Sequence, residues 1–282
     1  MFTLGRVYQK TIKLEPLIEF TKLMNVQAHA HPASFLYRSH RSDAYPKLQG
    51  RKALGKSVVS ANDVDELAHA CLSSEHAALK LVQQWLVQDR DLEAIYLKAL
   101  VPAAQLIGAW WTSDKVDFAT ATVAFCRMHR LMYELSPRFL ADARVLSPAP
   151  SALLIPTPGC QHSMGVFMLS EFFRRGGWRV SSDALGSADD VVRLVQTEWF
   201  DVLGLSIASD RQLNLTEQML TKVRLHSANP KLVIMLGGTW VQEAHPQLAS
   251  LKPDLIGTDA GQSPQMALQY LRKLQSCSLS QD

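Results

Sequence analysis

From Ser60 onward, apolar residues recur at helical spacing. In SANDVDELAHACLSSEHAALKLVQQWLVQ, Leu67 and Cys71, then Leu79, Val82 and Leu86, share one side of a 3.6-residue helix, with Ser60 or Asn62 as a cap. DLEAIYLKALVPAAQLIGAWW continues the pattern through Ile95, Leu97, Leu100 and Leu106, interrupted by Pro102. DFATATVAFCRMHRLMYEL predicts one more helix over about residues 117–135. Residues 60–146 thus read as a four- or five-helix bundle.

Beyond the short linker SPAPSA (147–152) the pattern alternates. ALLIPT predicts a short strand, GVFMLSEFFRRGG a helix ended by glycines, WRVSSD a strand and SADDVVRLVQTEW a capped helix. DVLGLSIA, KLVIMLGG and DLIGTDA predict further strands, with NLTEQMLTKVRLHS and SPQMALQYLRKLQS as helices between and after them. Strands alternating with helices of this length imply an α/β class, a doubly wound, Rossmann-like (flavodoxin-like) parallel sheet over 147–282. Ligands of such sheets bind beyond the carboxyl ends of the strands. That rule singles out the loops PTPGCQHSMG, SIASDRQ, GGTWVQ and GTDAGQ.

Composition sharpens this picture in three ways. The 282-residue chain is 47% hydrophobic and 20% charged, ordinary for a globular protein. No apolar run reaches the roughly 20 residues of a membrane span, and the N-terminus lacks a signal peptide's apolar core, so a cytoplasmic protein without a membrane partner is expected. The four cysteines, Cys71, Cys126, Cys160 and Cys277, are widely spaced and suggest neither a zinc cluster nor a disulfide framework.

Charge is uneven. Residues 1–56 hold ten Lys/Arg against three Asp/Glu, a balance of +7, whereas the whole chain is only +3. The polar, proline-broken segment 1–59 therefore reads as a basic, partly disordered arm, suited to an acidic partner or to weak nonspecific contact with DNA phosphates. Neither a helix-turn-helix nor a zinc finger is present, so sequence-specific DNA reading is not expected.

Signatures of nucleotide phosphate loops (GxGxxG, GxxxxGK[ST]) and of the hydrolase elbow (GxSxG) are absent. What the carboxyl-edge loops do carry is His162, in Cys160-Gln161-His162-Ser163-Met164-Gly165, then Ser206, then Gly237-Gly238. A neutral imidazole at such an edge suits cobalt or iron. Paired glycines at a strand end let a flat ligand or a phosphate approach the backbone.

The order His162-x-x-Gly165, Ser206, Gly237-Gly238 and then Thr258-Asp259-Ala260 resembles the cobalamin-binding domain shared by methionine synthase, corrinoid methyltransferases and light-responsive regulators, whose pattern is DxHxxG, SxL, GG. The resemblance implies base-off binding with His162 as the lower cobalt ligand. It also implies that Ser206, Ala208, Gly237 and Gly238 line a cleft for the nucleotide tail, and that Gly165 allows its passage. The helical half is similar to the bundle that caps the corrin in this family, with Trp111 in the place of the capping tryptophan. The family's capping Glu-His pair falls here on Ala121 and Thr122, and His129, two helical turns beyond Thr122, is a candidate substitute.

Two departures inform function. Where the family has an aspartate that orients the histidine, this chain has Cys160, a poorer acceptor and itself a candidate ligand. The missing Glu-His pair leaves the upper face open, with His29 or His31 of the arm as candidates for a second ligand. Among cobalamin proteins the chain resembles most the AerR/PpaA antirepressors of photosynthesis genes. That resemblance implies a non-enzymatic, light-responsive regulator that prefers hydroxo- or aquo- over adenosylcobalamin and acts through a CrtJ/PpsR-type repressor. Two alternatives accompany it: a corrinoid carrier for methyl transfer, and a haem-binding redox sensor.

Overall fold

A computed structural model describes residues 59–158, 160, 163–182, 185–208, 213–242 and 246–279. The arm, with His29 and His31, and the site candidates Gln161 and His162 lie outside the described residues.

Four helices build the first part of the compact unit formed by residues 54–282: α1 (Ala61–Ser73), α2 (Glu75–Val87), α3 (Leu92–Thr112) and α4 (Phe118–Phe139). Ser60, not Asn62, caps α1, in a capping box with Asp63. The same carboxylate meets Arg90 at 2.8 Å, which ties the start of α1 to the end of α2. Ser74 ends α1 and accepts from Ala77 N, capping α2, so one polar residue separates the two helices.

Pro102 does not interrupt α3. The turns before it are π-helical over Ile95–Leu100, and Val101 N donates to Tyr96 O, five residues back. The widened turn absorbs the ring that would clash in a regular α-helix. The result is a 21-residue helix, long and apolar enough to cross a membrane by length and composition alone. Here it forms the spine of the bundle, with Ile95, Tyr96, Ala99, Leu100, Ala103 and Ile107 buried.

The second part is a five-stranded sheet: β1 (Ser151–Pro156), β2 (Arg179–Ser181), β3 (Val202–Ser206), β4 (Val233–Gly237) and β5 (Leu255–Gly257). The strands are parallel and ordered β2-β1-β3-β4-β5, the doubly wound arrangement expected. Among the described residues five α-helices accompany them: α5 (Met164–Arg175), α6 (Ala188–Thr197), α7 (Leu213–His226), the short α8 (Thr239–Gln242) and α9 (Ser263–Leu279). The GGTWVQ segment, expected as a loop, begins α8 because Trp240 and Val241 bury their side chains under the sheet.

Helix α5 joins the two parts. Its Met168 and Phe172 belong to the bundle core, while Val166 and Phe173 belong to the core between the sheet and α9. Phe172 stands edge-on to Phe139 at 5.0 Å and to Tyr96 at 6.3 Å, and Tyr96 donates its hydroxyl to Met132 O. A helix shared by two cores carries the position of the loop before it into both.

Candidate functional site

The parallel register places Pro156, Ser206, Gly237 and Gly257 side by side on four adjacent strands. At strand spacing this row spans about 14 Å. Just beyond it, Thr157 is buried and donates to Ser206 O twice, from its backbone N and from its hydroxyl, each at 3.1 Å. Cys160 N in turn donates to Thr157 O at 2.8 Å. The loop after β1 is therefore anchored on β3, and half-buried Cys160 is held at the edge. Thr157 is missing from the sequence-based candidates. Its signal was a polar residue directly after an apolar strand.

Ile207 N donates to Gly237 O at 2.8 Å, and Trp240 N donates to Ile207 O at 3.2 Å. Gly238 sits over this pair with φ +103°, a conformation side chains avoid. A Cβ there would lie 2.7 Å from Ile207 N and closer still to Ile207 O. Gly238 is thus demanded first by the backbone of the crossover, whatever ligand lies above it. Ala208 follows Ile207 and is half-buried. Gly165 is the opposite case: it is exposed in the first turn of α5, and a Cβ would meet nothing within 4 Å. Ser163 is exposed beside it, and Met164 packs back onto the bundle core.

At the far end of the row, Asp259 accepts from Gln262 N (3.0 Å) through its carboxylate, and from Ser263 N and the Ser263 hydroxyl through its carbonyl. It therefore organises the start of α9. Ala260 packs on the bundle core, and a Cβ on Gly261 would come within 3.1 Å of Leu97 Cδ1 and 3.3 Å of Glu93 Oε1, so this loop runs against the first turns of α3.

From the bundle, His129 meets α5 directly. Its ring lies 5.1 Å from Phe167 and 5.4 Å from Tyr133, and Tyr133 lies 4.4 Å from Phe167. Burial holds the imidazole pKa below its ordinary value, so His129 is neutral at physiological pH. Trp111 stands exposed at the end of α3, with its ring 5.8 Å from that of Phe118, which is exposed as well. Ala121 is buried in the bundle core, and Thr122 donates its hydroxyl to Phe118 O, so neither position offers a group to a ligand. The structure brings together Cys160, Ser163–Gly165, Ser206, Ala208, Gly237, Gly238 and 258–260 at one edge, and His129 of α4 packs against Phe167 in the first turn of the α5 helix that leaves this edge. The His129–Tyr133–Phe167 ring cluster was not legible as a unit, because Phe167 lies 38 and 34 positions along the chain from its two partners. Among the described residues no group of three or more His, Cys, Asp or Glu could hold a metal ion by itself.

Comparison with known proteins bears on this edge. Residues 150–269 match the family model for the B12 binding domain. A curated relative from Rhodobacter capsulatus, described as an uncharacterized 20.5 kDa protein in the bchF-crtJ intergenic region, is 29% identical over 157 residues, 56% of this chain and 81% of the relative. The solved structure of the Methanosarcina barkeri monomethylamine corrinoid protein superposes with a TM-score of 0.61 at 16% identity, over 74% of this chain and 98% of that one, and shares the fold. A cobalamin-binding protein from Desulfitobacterium hafniense covers 74% of this chain with a TM-score of 0.40 and 16% identity, over 97% of its own length.

Proposed function

We propose, from the membership of residues 150–269 in the B12 binding domain family, that this chain binds cobalamin at the carboxyl edge of its sheet as the input of a light-responsive transcriptional regulator. The residues present fit such a group. Two of the four residues in the row of strand ends, Gly237 and Gly257, carry no side chain, and a Cβ on Gly165 would meet nothing within 4 Å, which leaves room there for a ligand tail. The match of residues 150–269 to the B12 binding domain model is the observation that carries the cofactor assignment. When bound, the light-exposed hydroxo form would supply a cobalt ion able to accept an imidazole of the chain, whereas the light-sensitive cobalt–carbon bond belongs to the adenosyl form that light converts into it.

The chain's own groups divide the remaining work. His162 would hold the cobalt through an imidazole nitrogen. Cys160, two residues before it, is a weak acceptor for the other ring N–H, so the imidazole is less basic than one oriented by a carboxylate. The Ser206 hydroxyl can hydrogen-bond a tail threaded past Gly165. His129, neutral and bracketed by Tyr133 and Phe167, offers a polar edge in an aromatic wall. Gly165→Ala tests the entry route. The apo chain should keep its stability or gain up to about 1 kcal/mol in a urea melt, since alanine favours the helix. Cobalamin retention should fall at the same time. Unchanged retention would move the tail away from α5.

The regulatory half of the proposal rests on the Rhodobacter relative, which lies next to crtJ, the gene that names the repressor class expected as partner. On this reading the chain is non-enzymatic and cytoplasmic and acts through a CrtJ/PpsR-type repressor, with the basic arm adding at most nonspecific phosphate contact. A corrinoid carrier for methyl transfer would share the fold. Cys160 in place of the orienting aspartate favours the regulator, and haem, which would give a Soret band in the protein as purified, is the remaining alternative for the same imidazole. The test is retention in the dark: apo protein incubated with hydroxocobalamin or adenosylcobalamin and then desalted. The hydroxo form should stay with the protein and the adenosyl form should be lost; equal retention of both would rule out selection of the light-exposed form.

A further inference from the structure

The amino edge of the sheet, opposite the cofactor edge, carries a surface that cobalamin binding does not use. The connection between α4 and β1 runs along the turn between α5 and β2. Arg144 N donates to Arg175 O at 2.8 Å, and Arg179 N donates to Pro150 O at 2.9 Å. The Arg175 guanidinium lies 4.6 Å over the ring of Phe139, the residue after Arg138 in the last turn of α4. Arg138, Arg144, Arg175 and Arg179 therefore follow one seam. None of the four makes an ion pair among the described residues, whereas their neighbour Arg174 is held by Glu171.

Apolar side chains accompany the arginines. Val145 is 93% exposed in the middle of the seam, and Trp199 is 55% exposed at its end. Trp199 and Arg179 border a recess of about 260 Å³, also lined by Ser151, Ser181, Glu198 and Phe200. The recess is held in shape by Asp201, which accepts from Ser151 N (2.7 Å), the Ser151 hydroxyl (3.0 Å) and Trp199 Nε1 (3.2 Å). An indole fixed before binding loses little freedom on contact, and Trp and Arg are the residues that most often dominate the energy of protein interfaces.

The chemistry selects the partner. Guanidinium forks pair with carboxylates or phosphates alike. The exposed acids Asp142 and Glu198 interrupt the positive field, which suits carboxylates spaced along a peptide better than a continuous phosphate backbone. Val145 and the Trp199 recess also call for apolar side chains. We propose that this surface docks an acidic, amphipathic protein segment, with carboxylates on Arg144 and Arg179 and an apolar side chain seated against Trp199.

The surface stands without the cofactor assignment, so the test uses the full chain without cobalamin. Binding of a fluorescent 16-residue peptide of alternating Glu and Leu pairs is compared with polyglutamate of equal charge and with duplex DNA. The peptide should bind more tightly than either. Arg144→Glu/Arg179→Glu should weaken it at least about tenfold, and Trp199→Ala at least about fivefold. The basic arm is identical in every variant, so it cannot produce these differences, and all three substituted side chains are at the surface. Should the double variant fold poorly, the Trp199→Ala comparison between peptide and polyglutamate still decides, since only the peptide has apolar groups to lose. Equal affinity in wild type and variants, no peptide binding at all, or tighter binding of DNA with the same arginine dependence would each overturn the proposal, the last in favour of a nucleic-acid surface.

Discussion

Gly238→Ala should cost the apo chain about 3 kcal/mol in a urea melt and abolish retention of cobalamin. Two effects add. The backbone at Gly238 has φ +103°, which an L side chain adopts only with strain, and the new methyl would press on the backbone of Ile207. That backbone cannot retreat cheaply, because Ile207 N is bonded to Gly237 O and Ile207 O to Trp240 N. Moving it would break the step from β4 to α8 and bury polar groups without partners. The shift would also displace Ile207 and Gly237, next to Ser206 and Ala208 on the proposed binding edge. A loss of stability below about 1 kcal/mol would show that the crossover is looser than the geometry indicates.

Much of this molecule was legible because its periods are clean. The strands ALLIPT, DVLGLSIA and KLVIMLGG are short apolar runs between helices, and the parallel order follows from that alternation. The row of Ser206 and Gly237 was readable for the same reason: each ends a buried strand, and register then sets them side by side. Where the reading failed, long-range or backbone geometry was responsible. Pro102 reads as a break, but a π-helical turn ahead of it lets α3 run on, and no local pattern announces a widened turn. Asp259 reads as a ligand-loop residue, and its contacts also organise the start of α9, a role that the motif does not announce. The anchoring of Thr157 on Ser206 and the cluster of His129, Tyr133 and Phe167 depend on which helices meet, which spacing along one chain does not encode.

The second large effect belongs to His162. An imidazole bound to cobalt changes the ligand field, and its removal leaves water as the competing donor, so His162→Ala should both shift the cobalamin absorption bands and weaken binding by about tenfold or more. Cys160→Asp should act in the other direction, since a carboxylate that accepts the second ring N–H raises imidazole basicity and strengthens the bond to the metal. Together the two variants separate a ligating histidine from a merely neighbouring one, because only ligation makes the spectrum respond to both. The most direct test of the account is therefore a titration of hydroxocobalamin into wild-type and His162→Ala protein, followed by absorption. The account predicts saturable binding with shifted bands in the wild type, and weaker binding with the bands of the free cofactor in the variant. Identical spectra and affinities in the two proteins would contradict it.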